Sequence, residues 1–244
     1  MLLPILKRRR RGQFNPVNLG GCVLWLDGAD LSTITNAGSG VIGWADKSGL
    51  GNSAVQTTDA QRPVSGTRII NGRNALDFNG TSHRMLLPSG LYSISAGDNT
   101  VFMVSAFYNV EGTQNRIWAG ADAGTGRWVI HRDQSLDTAT AINGTLSVVR
   151  SALADDTTQH ILGLRRSGTT NGLIMIYDGV QSTAGTAANV TCTSLAIGAQ
   201  AGGKTYLDGL IGEVIVFNRA LSTAEMNYIG RGLKAKWSTP WTDM

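Results

Sequence analysis

Residues 207–237 read LDGLIGEVIVFNRALSTAEMNYIGRGLKAKW and join an apolar strand to an amphipathic helix. The run Leu210–Phe217 is almost wholly apolar, which is typical of a strand. Ser222 and Glu225 follow at the spacing of a capping box, in which each side chain satisfies a backbone N–H of the other residue. This stretch therefore predicts a strand followed by a helix over Thr223–Lys236.

The predicted helix has one apolar face, which consists of Met226, Ile229, Leu233 and Trp237. These residues recur at spacings of three and four, so they fall on one side of the helix. Gly230 and Gly232 weaken the helix, because glycine is a poor helix former. We therefore expect this helix to depend on packing against the rest of the domain.

Outward from this stretch, short apolar runs separated by turn residues extend over most of the chain. The further candidate strands are Cys22–Leu26, Ala75–Phe78, Thr100–Tyr108, Arg116–Ala119, Arg127–His131, Leu146–Arg150, His160–Arg166, Leu173–Asp178 and Ser194–Gly198. Turn signals such as Asn79-Gly80 and Asp178-Gly179 lie between them. Because no helical pattern separates these strands, they predict antiparallel sheets and therefore a sandwich or a barrel.

The composition is that of a folded domain with a short basic segment. The 244 residues are 42% apolar and 16% charged, with a formal net charge of +4. Five of the 21 basic residues are consecutive, Lys7–Arg11, and the other 16 face 17 acidic residues. The body is thus nearly neutral, and we do not expect it to bind nucleic acid, although five cations alone can neutralise several phosphates.

The chain divides into an N-terminal arm over residues 1–20, one domain over 21–237 and a tail over 238–244. The arm carries the residues that we expect to bind a protein partner: Leu2, Leu3, Ile5, Leu6, Lys7, Arg8, Arg9, Arg10 and Arg11. Apolar residues precede charges here, the reverse of a secretory signal, and no apolar run reaches the roughly 18 residues of a membrane span. We therefore expect neither a signal peptide nor a membrane partner.

Four groups of residues resemble one known superfamily. They are residues 24–30 (LWLDGAD) with 44–49 (WADKSG) and Asn52, residues 72–80 (GRNALDFNG), residues 173–179, and residues 195–198 with 207–222. Their order resembles the concanavalin A-like, laminin-G-like superfamily, in the variant found in bacteriophage and bacterial surface proteins. The resemblance covers residues 21–237. It implies an all-β fold, a two-sheet antiparallel jelly-roll sandwich with one short C-terminal helix and an extended N-terminal arm.

Folding alone accounts for several residues of these groups. Trp25 and Trp44 are large apolar anchors for a sandwich core. Asp46, Ser48 and Asn52 have short side chains that bond to nearby backbone in turns. The two cysteines, Cys22 and Cys192, have no metal-ligand spacing, and we interpret them as buried free thiols. A disulfide between them is the alternative that the sequence does not decide.

The sequence argues against catalysis. Some relatives of this fold are glycoside hydrolases, which need two carboxylates close together. The chain has three glutamates, Glu111, Glu213 and Glu225, with no Glu-x-Asp-x-Glu arrangement, and we expect no paired carboxylates. It also lacks a Gly-x-Ser-x-Gly elbow and metal-ligand His/Cys spacings. We therefore predict that the protein is not an enzyme.

The resemblance also raises binding of calcium and of glycans. We expect no cofactor, but the sequence does not decide whether calcium binds. The candidate calcium ligands are Asp122, Asp133, Asp137 and Asp208. The aromatic candidates for a glycan platform are Trp118, Trp128, Tyr206, Trp237 and Trp241. Of these, Trp118 and Trp128 read more naturally as core residues. Trp241 is the one that we expect to be exposed.

Two functions follow as expectations. The first is a structural protein of a bacteriophage virion, such as a capsid decoration, fibre or tail component, which its arm anchors to other virion proteins in a homo-oligomer or a larger assembly. Its location would then be the virion. The alternative is a glycan-binding adhesin or receptor-binding protein that attaches to a surface glycan of a host.

Overall fold

The computed structural model describes residues 14–108, 114–120, 128–133, 138–143, 146–151, 157–168, 170–188 and 192–244. The strands in these residues are β1 (Cys22–Asp27), β2 (Ile34–Ala37), β3 (Gly40–Trp44), β4 (Ala54–Val55), β5 (Val64–Ile70), β6 (Arg73–Asn79), β7 (Met85–Leu86), β8 (Asn99–Phe107), β9 (Gln114–Ala119), β10 (Trp128–Asp133), β11 (Thr138–Asn143), β12 (Leu146–Ser151), β13 (Gln159–Arg166), β14 (Leu173–Tyr177), β15 (Val180–Gln181), β16 (Ala196–Ile197) and β17 (Asp208–Phe217). The helix α1 covers Thr223–Trp237, and 3₁₀ helices cover Pro16–Leu19, Leu31–Thr33, Asp59–Gln61 and Ser89–Ala96.

The strands form two antiparallel sheets. Sheet A has the order β15-β14-β13-β8-β17-β6-β5, with β1 also beside β17, and sheet B has the order β12-β11-β10-β9-β16-β7-β4-β3-β2. In sheet A, β17 pairs with β8 along one edge, while β6 and β1 share its other edge end to end. This arrangement places the end of β1 directly beside the middle of β17. The all-β, two-sheet sandwich that we predicted is confirmed.

An apolar core fills the space between the two sheets. Its largest members are tryptophans: Trp44, Trp118 and Trp128 are all fully buried there. The rings of Trp118 and Trp128 meet edge to face, with centroids 5.0 Å apart. The prediction that these two belong to the core is confirmed.

A second core covers the other face of sheet A. There, α1 and the C-terminal residues pack on apolar side chains of β1, β8, β13 and β17. Trp25 belongs to this outer core, because Leu24 and Leu26 point inward and alternation turns Trp25 outward. The molecule therefore has three layers: sheet B, sheet A, and the helix with the tail.

The predicted helix is confirmed and extends one residue further, to Trp237. Its capping box is complete, since Ser222 Oγ accepts from Glu225 N at 3.4 Å and Glu225 Oε2 accepts from Ser222 N at 2.8 Å. A Cβ at Gly230 would overlap the ring of Trp241. This glycine therefore lets the tail ring lie directly on the helix.

The expectation that Trp241 is exposed is wrong, because only 5% of this residue is accessible to solvent. Its ring packs on Gly230 and edge to face against Phe102, with centroids 6.2 Å apart. Both cysteines are free and buried, as predicted, and they lie in different cores. Among the described residues, no helix combines the length and apolar character needed to cross a membrane.

The described part of the N-terminal segment packs on α1. Phe14 lies over Gly232, and its ring centroid is 5.8 Å from that of Tyr228. Asn15 caps the first 3₁₀ helix through its side chain, which accepts from Val17 N. Arg219 then donates to the carbonyl oxygens of Leu19 and Gly20. Residues from Phe14 onward are therefore joined to the domain.

Candidate functional site

A cleft of about 530 Å³ opens on the outer face of sheet A. It lies where the end of β1, the turn between β5 and β6 and the C-terminal end of α1 meet. Its lining residues are Phe14, Trp25, Asp27, Ala29, Asp30, Lys47, Arg73, Gly232, Ala235 and Lys236. The cleft therefore combines two aromatic side chains with five charged ones.

The pairing of β1 with β17 builds the floor of this region. Asp27 stands directly opposite Glu213 in the antiparallel register. Opposite residues on such a ladder point to the same face, so the two carboxylates are neighbours. Lys236 of α1 joins them, since its Nζ donates to Asp27 and, at 2.7 Å, to Glu213 Oε2. The expectation of no paired carboxylates is thus wrong.

Glu213 is fully buried, and both of its oxygens are occupied. Oε1 accepts from Trp25 Nε1 at 2.7 Å, and Oε2 accepts from Trp237 Nε1 at 2.6 Å in addition to Lys236. Burial raises the pKa of Glu213 above its ordinary value, against the opposing pull of Lys236. The group binds the sheet to the helix, and its carboxylate offers no exposed oxygen to a substrate.

Lys47 extends the charged network to the mouth of the cleft. Its Nζ donates to Asp27 Oδ2 at 2.9 Å and to Asp30 Oδ2 at 2.7 Å, and it lies 4.5 Å from the centroid of the Trp25 ring. The hydrogen bond from Lys47, with a second one from Ser32, lowers the pKa of Asp30 to about 2. Asp30 is therefore ionised at neutral pH and partly exposed in the cleft.

The Asp46 carboxylate holds the loop that presents Lys47. It accepts from the backbone N–H groups of Trp25, Ser48 and Asn52 at 2.8–2.9 Å. Asn52 Nδ2 in turn donates to Val23 O at 2.8 Å. The turn role that the sequence assigned to Asp46 is confirmed, and so is that of Ser48, whose Oγ accepts from Leu50 N at 3.2 Å. The Asn52 side chain instead bonds to the backbone of β1 and thereby fixes this loop against that strand.

Arg73 stands on the opposite side, at the tight turn between β5 and β6. Asn71 and Gly72 form this turn with φ values of 47° and 68°. Arg73 Nε and Asn71 Nδ2 both donate to Lys236 O, at 2.8 and 3.2 Å. They therefore satisfy a carbonyl at the C-terminal end of α1. Among the described residues, the two Nη groups of Arg73 have no hydrogen-bond partner.

The predicted site residues have mixed outcomes. Leu2, Leu3, Ile5, Leu6 and Lys7–Arg11 lie outside the described residues. Trp118, Trp128, Trp237 and Trp241 are buried and cannot serve as exposed platforms. Tyr206 is half-buried and does not line the cleft. Trp25 is 9% exposed, so the core role predicted for it from the sequence is confirmed, and only a small part of its side chain reaches the cleft.

In the described part of the chain, no group of three or more His, Cys, Asp or Glu side chains is arranged so that it could hold a metal ion such as calcium. Asp208 is contacted by Arg68 at 3.3 Å. Asp122, Asp137 and the side chain of Asp133 lie outside the described residues. We therefore assign no chemistry to calcium.

Three side chains are hydrogen-bonded in the order of a hydroxyl–imidazole–carboxylate triad. His160 Nδ1 lies 2.6 Å from Asp178 Oδ2, and His160 Nε2 lies 3.3 Å from Thr158 Oγ1. His160 is buried and stacks on Tyr177. Asp178 also accepts from Ile161 N at 2.8 Å, and its carbonyl accepts from Thr242 N. These bonds tie β13 to the turn before β15 and to the tail.

Comparisons with known proteins place the fold. Trypanosoma rangeli sialidase in complex with sialic acid is similar, with a TM-score of 0.63 and 16% identity over 90% of this chain and 34% of that chain. The receptor binding domain of botulinum neurotoxin C/D mosaic serotype is similar with a TM-score of 0.63 and 12% identity, over 90% of this chain and 55% of that one. This chain thus spans about a third and about half of their lengths, and at these identities the likeness shows the fold alone.

A family model described as the concanavalin A-like lectin/glucanases superfamily matches residues 79–227, which is more than half of the chain. No curated protein matches the chain. Neither similar structure described above is a virion protein, so they lend no support to the bacteriophage role. Of the groups that carried the resemblance in the sequence, the matched range contains residues 173–179, 195–198 and 207–222, while residues 24–52 lie outside it. The chain therefore belongs to the concanavalin A-like lectin/glucanase superfamily, in its laminin-G-like branch.

Proposed function

We propose that this protein is a non-catalytic glycan-binding domain and that the cleft beside α1 holds the sugar. The observation that carries the proposal is the mixed lining of the cleft, where Phe14 and the small exposed part of Trp25 stand beside Asp30, Lys47 and Arg73. Aromatic rings pack against the C–H faces of sugars, and charged groups bond to hydroxyls and fix orientation. A solvent-open cleft with this lining suits one or two sugar units.

The similar structures agree with such a ligand. The sialidase was solved with sialic acid, and the toxin domain is named for receptor binding. Both observations concern proteins of low identity to this one. They support glycan or receptor binding as a use of this fold, while the position of the site on this chain rests on the cleft.

The absence of catalysis rests on the state of the two carboxylates. Most retaining and inverting glycosidases need one carboxylic acid and one carboxylate that both reach the scissile bond, whereas sialidases use a tyrosine as the nucleophile. Asp27 is held by Lys47 and Lys236, and Glu213 is fully buried. We therefore expect no release of reducing sugar from any bound glycan, and no activity that Glu213→Gln removes.

A glycan array with two matched variants tests the binding site. Ala235 is exposed and lines the cleft, so Ala235→Trp should fill it without removing any bond. Ala224→Trp makes the same change about 16 Å along the same helix, outside the cleft. We expect the wild type and Ala224→Trp to share their ligands, and Ala235→Trp to lose about tenfold in affinity or more. Equal binding by Ala235→Trp would exclude the cleft.

The residues ahead of Phe14 support a second proposal, in which they dock the domain onto neighbouring proteins of an assembly such as a bacteriophage virion. The support is compositional: an apolar stub and five cations precede a nearly neutral body. Apolar residues would set the register, and cations would speed the encounter with an acidic surface. This role is compatible with a glycan site, since the cleft belongs to the domain.

A further inference from the structure

We infer that the glycan is acidic and that Arg73 binds its carboxylate or sulfate group. This inference rests on the proposed function, because it names the class of sugar that the same cleft would take. It starts from the charges in and under the cleft, where every anion already has a cation. Asp27 contacts Lys47 and Lys236, Asp30 contacts Lys47, and Glu213 contacts Lys236.

Three cations, Lys47, Arg73 and Lys236, line the cleft with two carboxylates, and Arg73 is the cation that contacts neither of them. Counted together with the buried Glu213, the positive and negative charges are equal in number. Arg73 is exposed at the rim of the cleft, and within the described residues it forms no ion pair. Its charge therefore remains available to a ligand, whereas Lys47 and Lys236 would have to release a carboxylate first. An anionic group gains a new partner at Arg73, and a neutral sugar does not.

The hydrogen bond from Arg73 Nε also orients the guanidinium. Since Nε donates to Lys236 O at 2.8 Å, the plane of the group is held against the end of α1. The two Nη groups remain as a fork of donors, which matches the paired oxygens of a carboxylate or a sulfate. A lysine at this position would supply the charge without the fork.

The covalent chain limits how far the basic run can lie from Phe14. Phe14 lines the cleft, and the run Lys7–Arg11 ends three residues before it. Three residues span at most about 11 Å, so the covalent chain keeps Arg11 within that distance of Phe14.

Oligogalacturonate and its methyl ester provide matched probes, because they differ only at the carboxyl group, which is charged in the acid and carries a neutral methyl ester in the other. We expect the full-length wild type to bind the acid at least about tenfold more tightly than the ester in calorimetric titration. Dextran sulfate against dextran makes the same comparison for sulfate, and the better of the two acids identifies the group. Equal binding of acid and ester in a cleft that Ala235→Trp blocks would overturn this inference and leave the proposed function intact.

Variants assign the preference to Arg73. Arg73→Gln should abolish the acid-over-ester preference. If Arg73→Gln loses stability, Arg73→Lys serves as the second variant and should retain part of the preference. The control Lys204→Gln removes an exposed cation that lies outside the cleft and should change nothing. Replacing Lys7–Arg11 by Gln should reduce the salt dependence of binding but keep the preference. A single-stranded oligonucleotide that competes at lower concentration than either acid would contradict the assignment to a sugar.

Discussion

Glu213 and Asp27 illustrate what a single residue's surroundings decide. In the sequence they are 186 positions apart, and nothing local predicts that they meet, because the register between β1 and β17 is a non-local property. Once they are paired, Lys236 and two indole N–H groups occupy their oxygens. A carboxylate pair that would otherwise suggest hydrolysis thus becomes a junction between sheet and helix.

The raised pKa of Glu213 predicts a pH dependence of stability. The unfolded chain ionises this group at lower pH than the folded chain, so its contribution is fully present below about pH 4.5 and is lost as pH rises through the folded pKa. Glu213→Gln cannot titrate. The unfolding free energy of the variant relative to wild type should therefore rise between pH 4 and pH 7, as urea unfolding can measure. A difference that is independent of pH would contradict this.

Glu225 gives the opposite sign and serves as the contrast. The hydrogen bonds from Arg219 lower its pKa to about 2, so its contribution is present above about pH 4.5 and is lost as pH falls toward 2. Glu225→Gln should therefore destabilise the protein most at neutral pH and least near pH 2. Parallel curves for the two glutamine variants would show that at least one of the two pKa shifts has been assigned incorrectly.

Among the elements, α1 was the most predictable, because its signals are local. The capping box predicts where the helix begins, and the apolar face predicts which side of it packs on the domain. The reason for its two glycines was not local. Gly230 receives the ring of Trp241 from the tail, and Gly232 receives Phe14 from more than 200 residues earlier. The same contacts bring Phe14 to the cleft, which no helical pattern reveals.

Ser222→Ala should destabilise the protein by about 1 kcal/mol, since it removes the N-cap acceptor of α1. Thr223→Ala, at the next exposed position, is the control and should change stability by less than about 0.5 kcal/mol. Chemical unfolding followed by tryptophan fluorescence measures both. An equal effect of the two changes would show that the capping box contributes nothing.

Gly230→Ala should reverse the usual effect of such a change. Alanine in an exposed helix interior normally stabilises by about 1 kcal/mol relative to glycine. Here the added methyl group would overlap the Trp241 ring, so we expect a lower melting temperature. In the Trp241→Ala background the same change should become neutral or stabilising. An increase in melting temperature in the wild-type background would rule out the close contact.

For the whole molecule, long apolar runs such as Leu173–Tyr177 and Leu210–Phe217 predicted their strands, and the turn signals between them predicted an antiparallel sandwich. The sequence analysis missed Ala54–Val55 and Met85–Leu86, which are too brief to form a pattern. It also missed the longer strands Val64–Ile70 and Thr138–Asn143, in which polar residues and glycine interrupt the apolar run. The order of strands in each sheet could not be predicted, because it depends on contacts distant in sequence. The cleft could not be predicted for the same reason, because five separate stretches of the chain contribute its lining residues.

The join at Phe14 predicts where the chain can be shortened. Deleting residues 2–12 should leave the melting temperature nearly unchanged, whereas Phe14→Ala should lower it by exposing Gly232 and Tyr228. Differential scanning fluorimetry compares the two. If the shorter chain also fails to join an assembly that the full chain joins, the docking proposal is supported. A large loss of stability on deletion would instead make residues 2–12 part of the fold.

The central claim is that a glycan binds in the cleft beside Trp25, and the six indole N–H signals of the ¹⁵N-labelled protein report on it directly. Trp25 lines the cleft and donates from Nε1 to Glu213, while Trp118 and Trp128 are buried between the sheets. During titration with the best ligand from the array, the Trp25 signal, assigned through Trp25→Phe, should move and saturate while those of Trp118 and Trp128 stay in place. A Trp25 signal that stays in place while a glycan binds would contradict the account.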